Sequence, residues 1–298
     1  MRVAITGASG LIGAALAAAL LADGQEVTRL VRRAPQRPGE VRWDPHRPDG
    51  GIAPGELDGV DAVVHLSGAP VAGGRWTATR KQVLRASRIQ STTALVSALA
   101  RAQRPPSVLL SGSAVGWYGD TGDREVDESA PSGTGFLAGL VRDWEAAAEP
   151  ARQAGLRVAT LRSGIVLSRR GGMLGPLLPA FRLGLGARIG DGSQYISWIS
   201  VTDHVAAVRY LLDHADIDGP VNLTAPAPVT NAEFTADLAR ALRRPAVLRV
   251  PAPLVRAGLG ELSGELLGSQ RVLPGRLLAG GFAFSHPDLA SALTAELA

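Results

Sequence analysis

The chain has 298 residues, 46% of them hydrophobic and 19% charged, with a formal net charge of +4 and no cysteine. This composition fits a globular protein large enough for one α/β domain, or for a dinucleotide-binding core with a smaller lobe. It excludes disulfides, thiolate metal sites and cysteine nucleophiles, and no uncharged apolar run reaches the roughly 18 residues of a membrane span. The arginines are scattered in pairs such as Arg169-Arg170, with no basic stripe interleaved with aromatics, so nucleic acid is not an expected partner. The first apolar run starts at residue 3, which leaves no room for a leader and makes the cytoplasm the expected compartment.

Val3-Ala4-Ile5 reads as a short strand. It runs into Thr6-Gly7-Ala8-Ser9-Gly10-Leu11-Ile12-Gly13 and then an Ala/Leu-rich helix to Ala22, closed by Asp23-Gly24. A strand, a glycine turn and a helix in that order open a βαβ dinucleotide-binding unit. Gly7 permits the tight turn, Gly10 lets the backbone approach a pyrophosphate, and Gly13 lets the helix pack on the strand, with the helix N-terminus facing the phosphates. Glu26 to Val31 is the second strand, ending at Arg32-Arg33 with no carboxylate next to them in sequence. An acidic residue there would hold the ribose hydroxyls of NAD, whereas arginine suits the 2′-phosphate of NADP, so NADP is the expected cofactor and NAD the less favoured one. Ser9 can add a hydroxyl to the same phosphate.

A Pro/Gly-rich loop from Pro35 to Gly59 holds a short strand near Val41. Ala62 to Leu66 is a buried parallel strand, followed by Ser67-Gly68; one long helix is expected from Thr77 to Ala102. Ser107 to Ser111 forms the next strand, Leu137 to Gln153 a helix, and Gly155 to Arg162 a sixth strand. Beyond Gly171 the alternation is lost, though Asn222-Leu223-Thr224 can return a strand to the sheet. The expected fold is α/β: a Rossmann doubly wound parallel sheet over residues 1–170 with a smaller C-terminal α/β substrate lobe over 171–298, the strand return falling near 220–225.

These segments resemble the extended short-chain dehydrogenase/reductase superfamily, whose glycine signature is T-G-x-x-G-x-x-G. His65-Leu66-Ser67-Gly68-Ala69 resembles its strand-four segment, and Ser111 to Asp120 its serine-rich strand five followed by Tyr-Gly. Trp144-Glu145-Ala146-Ala147, Arg162 to Leu167, Leu177 to Gly186, Thr230 to Phe234 and Gly281-Phe282 are similar to the epimerase-like subfamily 39U of atypical members. The resemblance implies an NAD(P)-dependent epimerase/dehydratase-like protein, often a homodimer, acting on a small molecule. It also implies that Thr6, Gly7, Ser9, Gly10, Leu11, Ile12, Gly13, Arg32, Arg33, Leu66, Ser67, Gly68, Arg88 and Arg162 line the cofactor.

The pattern breaks at the chemistry. Members of the superfamily use a tyrosine with a lysine four residues later, the lysine lowering the phenol pKa. Here Tyr118, Tyr195 and Tyr210 are followed at that distance by Gly122, Ile199 and His214, and the single lysine is Lys81. The corresponding helix positions fall at Leu137 and Val141, both apolar. Arg88 stands where the superfamily has asparagine and can reach a cofactor phosphate or a substrate anion.

The remaining catalytic candidates are Ser113, at the end of a central strand, and Tyr118, a general acid with no cationic neighbour in sequence and hence an ordinary phenol. Arg162 is expected to face the crevice, Asp203 to cap a helix and His204 to lie on that helix's surface. The histidines show no metal-ligand spacing, and Gly112-Ser113-Ala114-Val115-Gly116 is not the G-x-S-x-G of a serine hydrolase. Two functions follow: an NADP-dependent oxidoreductase or epimerase, or an NADP-sensing or scaffold protein without turnover. Retention of Ser113 and Tyr118 favours the first; loss of the Tyr-Lys pair favours the second.

Overall fold

The computed structural model describes all residues except Pro54, inside the expected Pro/Gly loop, and Gly73. Seven strands form the central sheet: β1 (Arg2–Thr6), β2 (Glu26–Val31), β3 (Glu40–Arg42), β4 (Ala62–His65), β5 (Val108–Ala114), β6 (Arg157–Ser163) and β7 (Gly219–Leu223). All pairings are parallel, and the spatial order is β7-β6-β5-β4-β1-β2-β3. The order reverses between β1 and β4, and ligands of open α/β sheets bind at that switch point, outside the strand C-termini.

The strands are apolar on both faces because helices cover both. On one side α1 (Leu11–Ala22) and α6 (Val201–Asp213) pack over Val3, Ile5, Val64, Leu110, Leu161 and Val221. On the other, α3 (Ser91–Leu99) and α4 (Phe136–Gln153) cover Ala4, Val63, Leu109 and Val158. A third core joins α5 (Leu174–Arg182), α7 (Asn231–Leu242) and the C-terminal helix Leu289–Leu297 around Trp198 and Phe234, forming the second lobe. The chain leaves the sheet after β6 and returns through α6 and β7 before leaving again, so residues 201–223, within the expected 171–298 lobe, pack with the central sheet.

The long helix expected over Thr77–Ala102 is divided. α2 (Ala78–Arg85) passes into a π-helical turn, Ala86–Gln90, before α3. Ser91 Oγ donates to the carbonyls of Ser87 (2.8 Å) and Arg88 (3.0 Å), and Thr92 Oγ1 to Arg88 (2.7 Å). Those hydroxyls satisfy carbonyls that the widened turn leaves open. β5 runs three residues past its expected end, through Gly112-Ser113-Ala114. The extension pairs residue for residue with β6 as far as Ala114 opposite Ser163, and a side chain at Gly112 would meet Trp144 Cζ2 at 2.9 Å.

Candidate active site

Gly7 has φ +69°, and a Cβ there would lie 2.8 Å from the Leu66 carbonyl oxygen. The glycine turn therefore lies directly against the end of β4. Gly10 is the N-cap of α1 and contributes no side-chain cap, while Ser9 and Gly10 are exposed. The first N–H groups of a twelve-residue helix thus lie at the switch point without a side-chain cap, an arrangement that can hold an anion. Leu11 packs near Gly171 and Gly172, and Ile12 is half-buried.

Thr6 ties the turn together from below. Its Oγ1 accepts from the amides of Leu66 (3.1 Å) and Ser67 (3.3 Å) and lies 2.7 Å from His65 Nδ1. His65 Nε2 is 3.3 Å from Ser91 Oγ. With Thr6 donating to Nδ1, this network assigns the proton of neutral His65 to Nε2. Burial pushes its pKa down to about 4.

The two arginines after β2 differ. Arg33 donates twice to Glu40, Nη2 to Oε1 at 2.6 Å and Nη1 to Oε2 at 2.7 Å. Glu40 reaches it because β3 pairs alongside β2, with Arg29 opposite Glu40. The carboxylate absent next to Arg33 in sequence is therefore present beside it in space, and the Arg33 bond holds Glu40 down at about 2. Arg32 is exposed and has no partner among the described residues.

At the C-terminal ends of β5, β6 and β7 a row of polar side chains crosses three strands. Ser113 is opposite Arg162, and Arg162 is opposite Asn222. Glu145, on α4, accepts from Ser113 Oγ at 2.6 Å and from Arg162 Nε at 2.8 Å on Oε1, and from Arg162 Nη2 at 3.0 Å on Oε2. Arg162 Nη1 donates to Tyr118 Oη at 3.0 Å, and Tyr118 donates to Asn222 Oδ1 at 2.8 Å. The Trp117 ring covers Arg162 with its centroid 3.9 Å from Cζ.

The cluster is nearly dry. The Arg162 and Glu145 side chains are only 3% and 13% exposed. Burial opposes the charge on Arg162, but the Glu145 carboxylate and Tyr118 outweigh it and raise its pKa. Burial also pushes the Tyr118 phenol up, against the pull of Arg162. Tyr118 therefore does have a cationic neighbour, contrary to expectation, and its proton is committed to Asn222.

Ser113, Tyr118 and Arg162 thus belong to one network. Glu145 and Asn222, which complete it, were not singled out from sequence; the available signal was an acidic residue bordering the buried stripe Val141, Trp144, Ala148 of α4. Leu137 and Val141 pack against Gly116, where a Cβ would meet them at 3.3 and 3.8 Å. Lys81 pairs with Glu261 and lies over the Phe136 ring.

Two further expectations are overturned. His204 is fully buried rather than on the helix surface: Nε2 is 2.9 Å from Ser163 Oγ, Nδ1 has no partner among the described residues, and burial takes its pKa to about 4. Asp203 does not cap α6, because the Ser200 hydroxyl does; the Asp203 carboxylate instead accepts from the amides of Ser285 and His286, both at 2.9 Å.

Residues 3–223 match the NAD dependent epimerase/dehydratase family, and residues 250–296 match a domain of unknown function, DUF1731. An epimerase family protein of Mycobacterium bovis is 50% identical over 292 residues, covering 98% of this chain and 96% of that protein. The human epimerase family protein SDR39U1 is 38% identical over 297 residues, covering 98% of each. A crystal structure of its isoform 2 with NADPH superposes with a TM-score of 0.90 at 35% identity, covering 99% of both chains. A nucleoside-diphosphate sugar epimerase of Corynebacterium glutamicum is similar over the whole of this chain but 58% of its own, with a TM-score of 0.82 and 38% identity. With sequence and fold shared over nearly the full length of the mycobacterial and human relatives, the chain belongs to the NAD dependent epimerase/dehydratase family.

Proposed function

We propose that the protein is an NADP(H)-binding oxidoreductase of epimerase type, in which Ser113 and Glu145 move a proton to and from an oxygen of a small substrate. The observation that carries this reading is the 2.6 Å bond from Ser113 Oγ to Glu145, made at a strand C-terminus beside the dinucleotide turn. The residues fit the cofactor. The glycine turn and the open α1 N-terminus accommodate a pyrophosphate, with Leu66, Ser67 and Gly68 alongside. Arg32, with no partner among the described residues, suits a 2′-phosphate, and the NADPH in the human relative's crystal structure supports the same choice.

When bound, the cofactor gives or takes a hydride. The chain supplies the proton chemistry. A proton leaving a substrate hydroxyl passes to Ser113 Oγ as the serine proton passes to Glu145, and the reverse sequence protonates a carbonyl oxygen. Arg162 fixes the Glu145 carboxylate by two parallel bonds, and Tyr118 and Asn222 fix Arg162 in turn. Tyr118 is then a positioning residue rather than the acid. Its buried phenol, raised in pKa and already donating, is a poor partner for a substrate oxygen.

NADPH and NADH binding followed by melting temperature, with turnover screened on carbonyl compounds and nucleotide sugars, tests the reading. We expect tighter NADPH binding, and turnover lost in Ser113→Ala and Glu145→Gln but altered chiefly in pH dependence in Tyr118→Phe. Equal or tighter NADH binding defeats the cofactor assignment, and turnover unchanged in Ser113→Ala and Glu145→Gln defeats the proton path. NADPH binding without turnover on any substrate class favours the sensing or scaffold role, which the apolar Leu137 and Val141 also suit.

A further inference from the structure

Two turns of the second lobe lie side by side and present aliphatic side chains to solvent. α5 runs into Leu183-Gly184-Leu185-Gly186, and α7 into Arg243-Arg244-Pro245-Ala246-Val247. The turns touch: a Cβ at Gly184 would meet Pro245 Cγ at 3.4 Å, and one at Gly186 would meet Ala246 Cβ at 3.1 Å. Just beyond them, Ala187–Ile189 pairs in parallel with Leu248–Val250. Leu183 is 76% exposed and Val247 85%, with Leu185 and Leu248 exposed beside them. Monomers seldom leave neighbouring aliphatic side chains this open unless the surface meets something apolar.

Arginines flank these side chains, and acids do not. No Asp or Glu occurs from residue 150 to 190 or from 238 to 260. Arg182, Arg243 and Arg244 are exposed without a carboxylate partner among the described residues, whereas Arg240 pairs with Asp237. Arg243 ends α7 at φ +53°, the only non-glycine residue with positive φ among the described residues. Glycine adopts that conformation without strain, so arginine keeps a charge on this face against backbone preference. The negative helix ends account for the cations but not for the aliphatic side chains between them. The amides of both turns donate to their own helices, Leu185 to Ala180 and Arg244 to Ala239, each at 2.9 Å. Such turns can leave water without stranding those donors.

We propose that this face docks on the surface of an anionic phospholipid bilayer. Leu183, Leu185 and Val247 enter the acyl boundary, and Arg182, Arg243 and Arg244 pair with lipid phosphates. Charge disfavours a second copy of the chain, because a two-fold contact would set these arginines against their equals. The apolar side chains also differ from those that anchor protein interfaces. Leucine and valine are under-represented among interface hot spots, and neither turn contains an aromatic residue. Attachment is peripheral, since no helix among the described residues is long and apolar enough to cross a membrane.

The test sediments the full chain with sucrose-loaded vesicles of phosphatidylcholine, alone or mixed with phosphatidylglycerol. The wild type should bind the mixed vesicles and not the neutral ones, with affinity falling as salt rises. One arginine near an anionic surface contributes about five-fold, so Arg182→Gln with Arg244→Gln should weaken binding about twenty-five-fold. Leu183→Ser with Val247→Ser should weaken it about ten-fold or more. Arg243→Gly should weaken it about five-fold yet melt at or above the wild-type temperature, which separates the charge from the helix cap. Arg101→Gln with Arg104→Gln, an equal loss of charge at exposed positions just beyond α3, should change little. Failure of the wild type to bind the mixed vesicles overturns the proposal. So does full binding by the Leu183/Val247 variant, or an equal loss in the Arg101/Arg104 variant, which would reduce the effect to net charge. Self-association in ultracentrifugation, abolished by Leu183→Ser with Val247→Ser and unaccompanied by vesicle binding, would give the face to a second copy instead.

Discussion

His65 and His204 are both fully buried and neutral in the fold, each with a pKa brought by burial from 6.5 to about 4. Between those values the unfolded chain binds a proton that the native chain does not, so stability rises with pH across the window and is lost as pH falls. From about pH 7 to about pH 4.5, linkage gives a loss of about 2 kcal/mol per histidine, or about 4 kcal/mol for the pair. That is comparable with the whole stability of many domains. Urea unfolding of the wild type and of His65→Gln and His204→Gln at the two pH values isolates each contribution, because the carboxylates titrate alike in all three. Each variant should lose about 2 kcal/mol of the wild-type pH dependence. Variants with the wild-type pH dependence would refute the reasoning and show that these imidazoles are charged or hydrated in the fold. His65 carries a further consequence: protonation at Nδ1 turns the Thr6 hydroxyl away, so NADPH affinity should fall over the same window in the wild type.

Other outcomes follow from single contacts. Gly13→Ala places a methyl against the Gly7 carbonyl, and dinucleotide binding measured by calorimetry should be lost. Arg162→Met leaves Glu145 in a dry site without its cation and should cost about 3–5 kcal/mol in chemical denaturation; a loss below about 1 kcal/mol would mean the pair is solvated. Thr160 Oγ1 is buried without a partner among the described residues, so Thr160→Val should be neutral or stabilising by about 1 kcal/mol, and a clear destabilisation would reveal a bridging water. Arg32→Ala should reduce discrimination between NADPH and NADH more than Arg33→Ala, whose guanidinium Glu40 already holds.

The sheet was legible because β-branched runs alternate with amphipathic or Ala-rich helices, and the glycine turn announces its own position by sequence alone. The end of β5 was not, since Gly112 and Ser113 extend by pairing with β6, a partner that local pattern does not encode. The π-turn was hidden because the serine and threonine hydroxyls that satisfy its open carbonyls leave no mark on a period of 3.6. Of the candidate site, Ser113 and Arg162 were visible as residue types at strand ends and Tyr118 in the segment after the strand. Glu145 and Asn222 gain their meaning from pairings between β5, β6, β7 and α4 that local pattern does not encode. Arg33 shows the same limit: its partner is seven residues away, across a strand pairing.

Asn222 belongs to an edge strand that reaches the sheet only after the chain has made its excursion through residues 164–218. The network from Ser113 to Asn222 therefore cannot close until that long loop has been paid for in chain entropy, which places its completion late in folding. A nascent or truncated chain ending before residue 219 would hold the dinucleotide turn in full, yet leave Tyr118 and Arg162 without the strand that aligns them. Expression of the first half alone should yield a binder of nucleotide at most, never a working site.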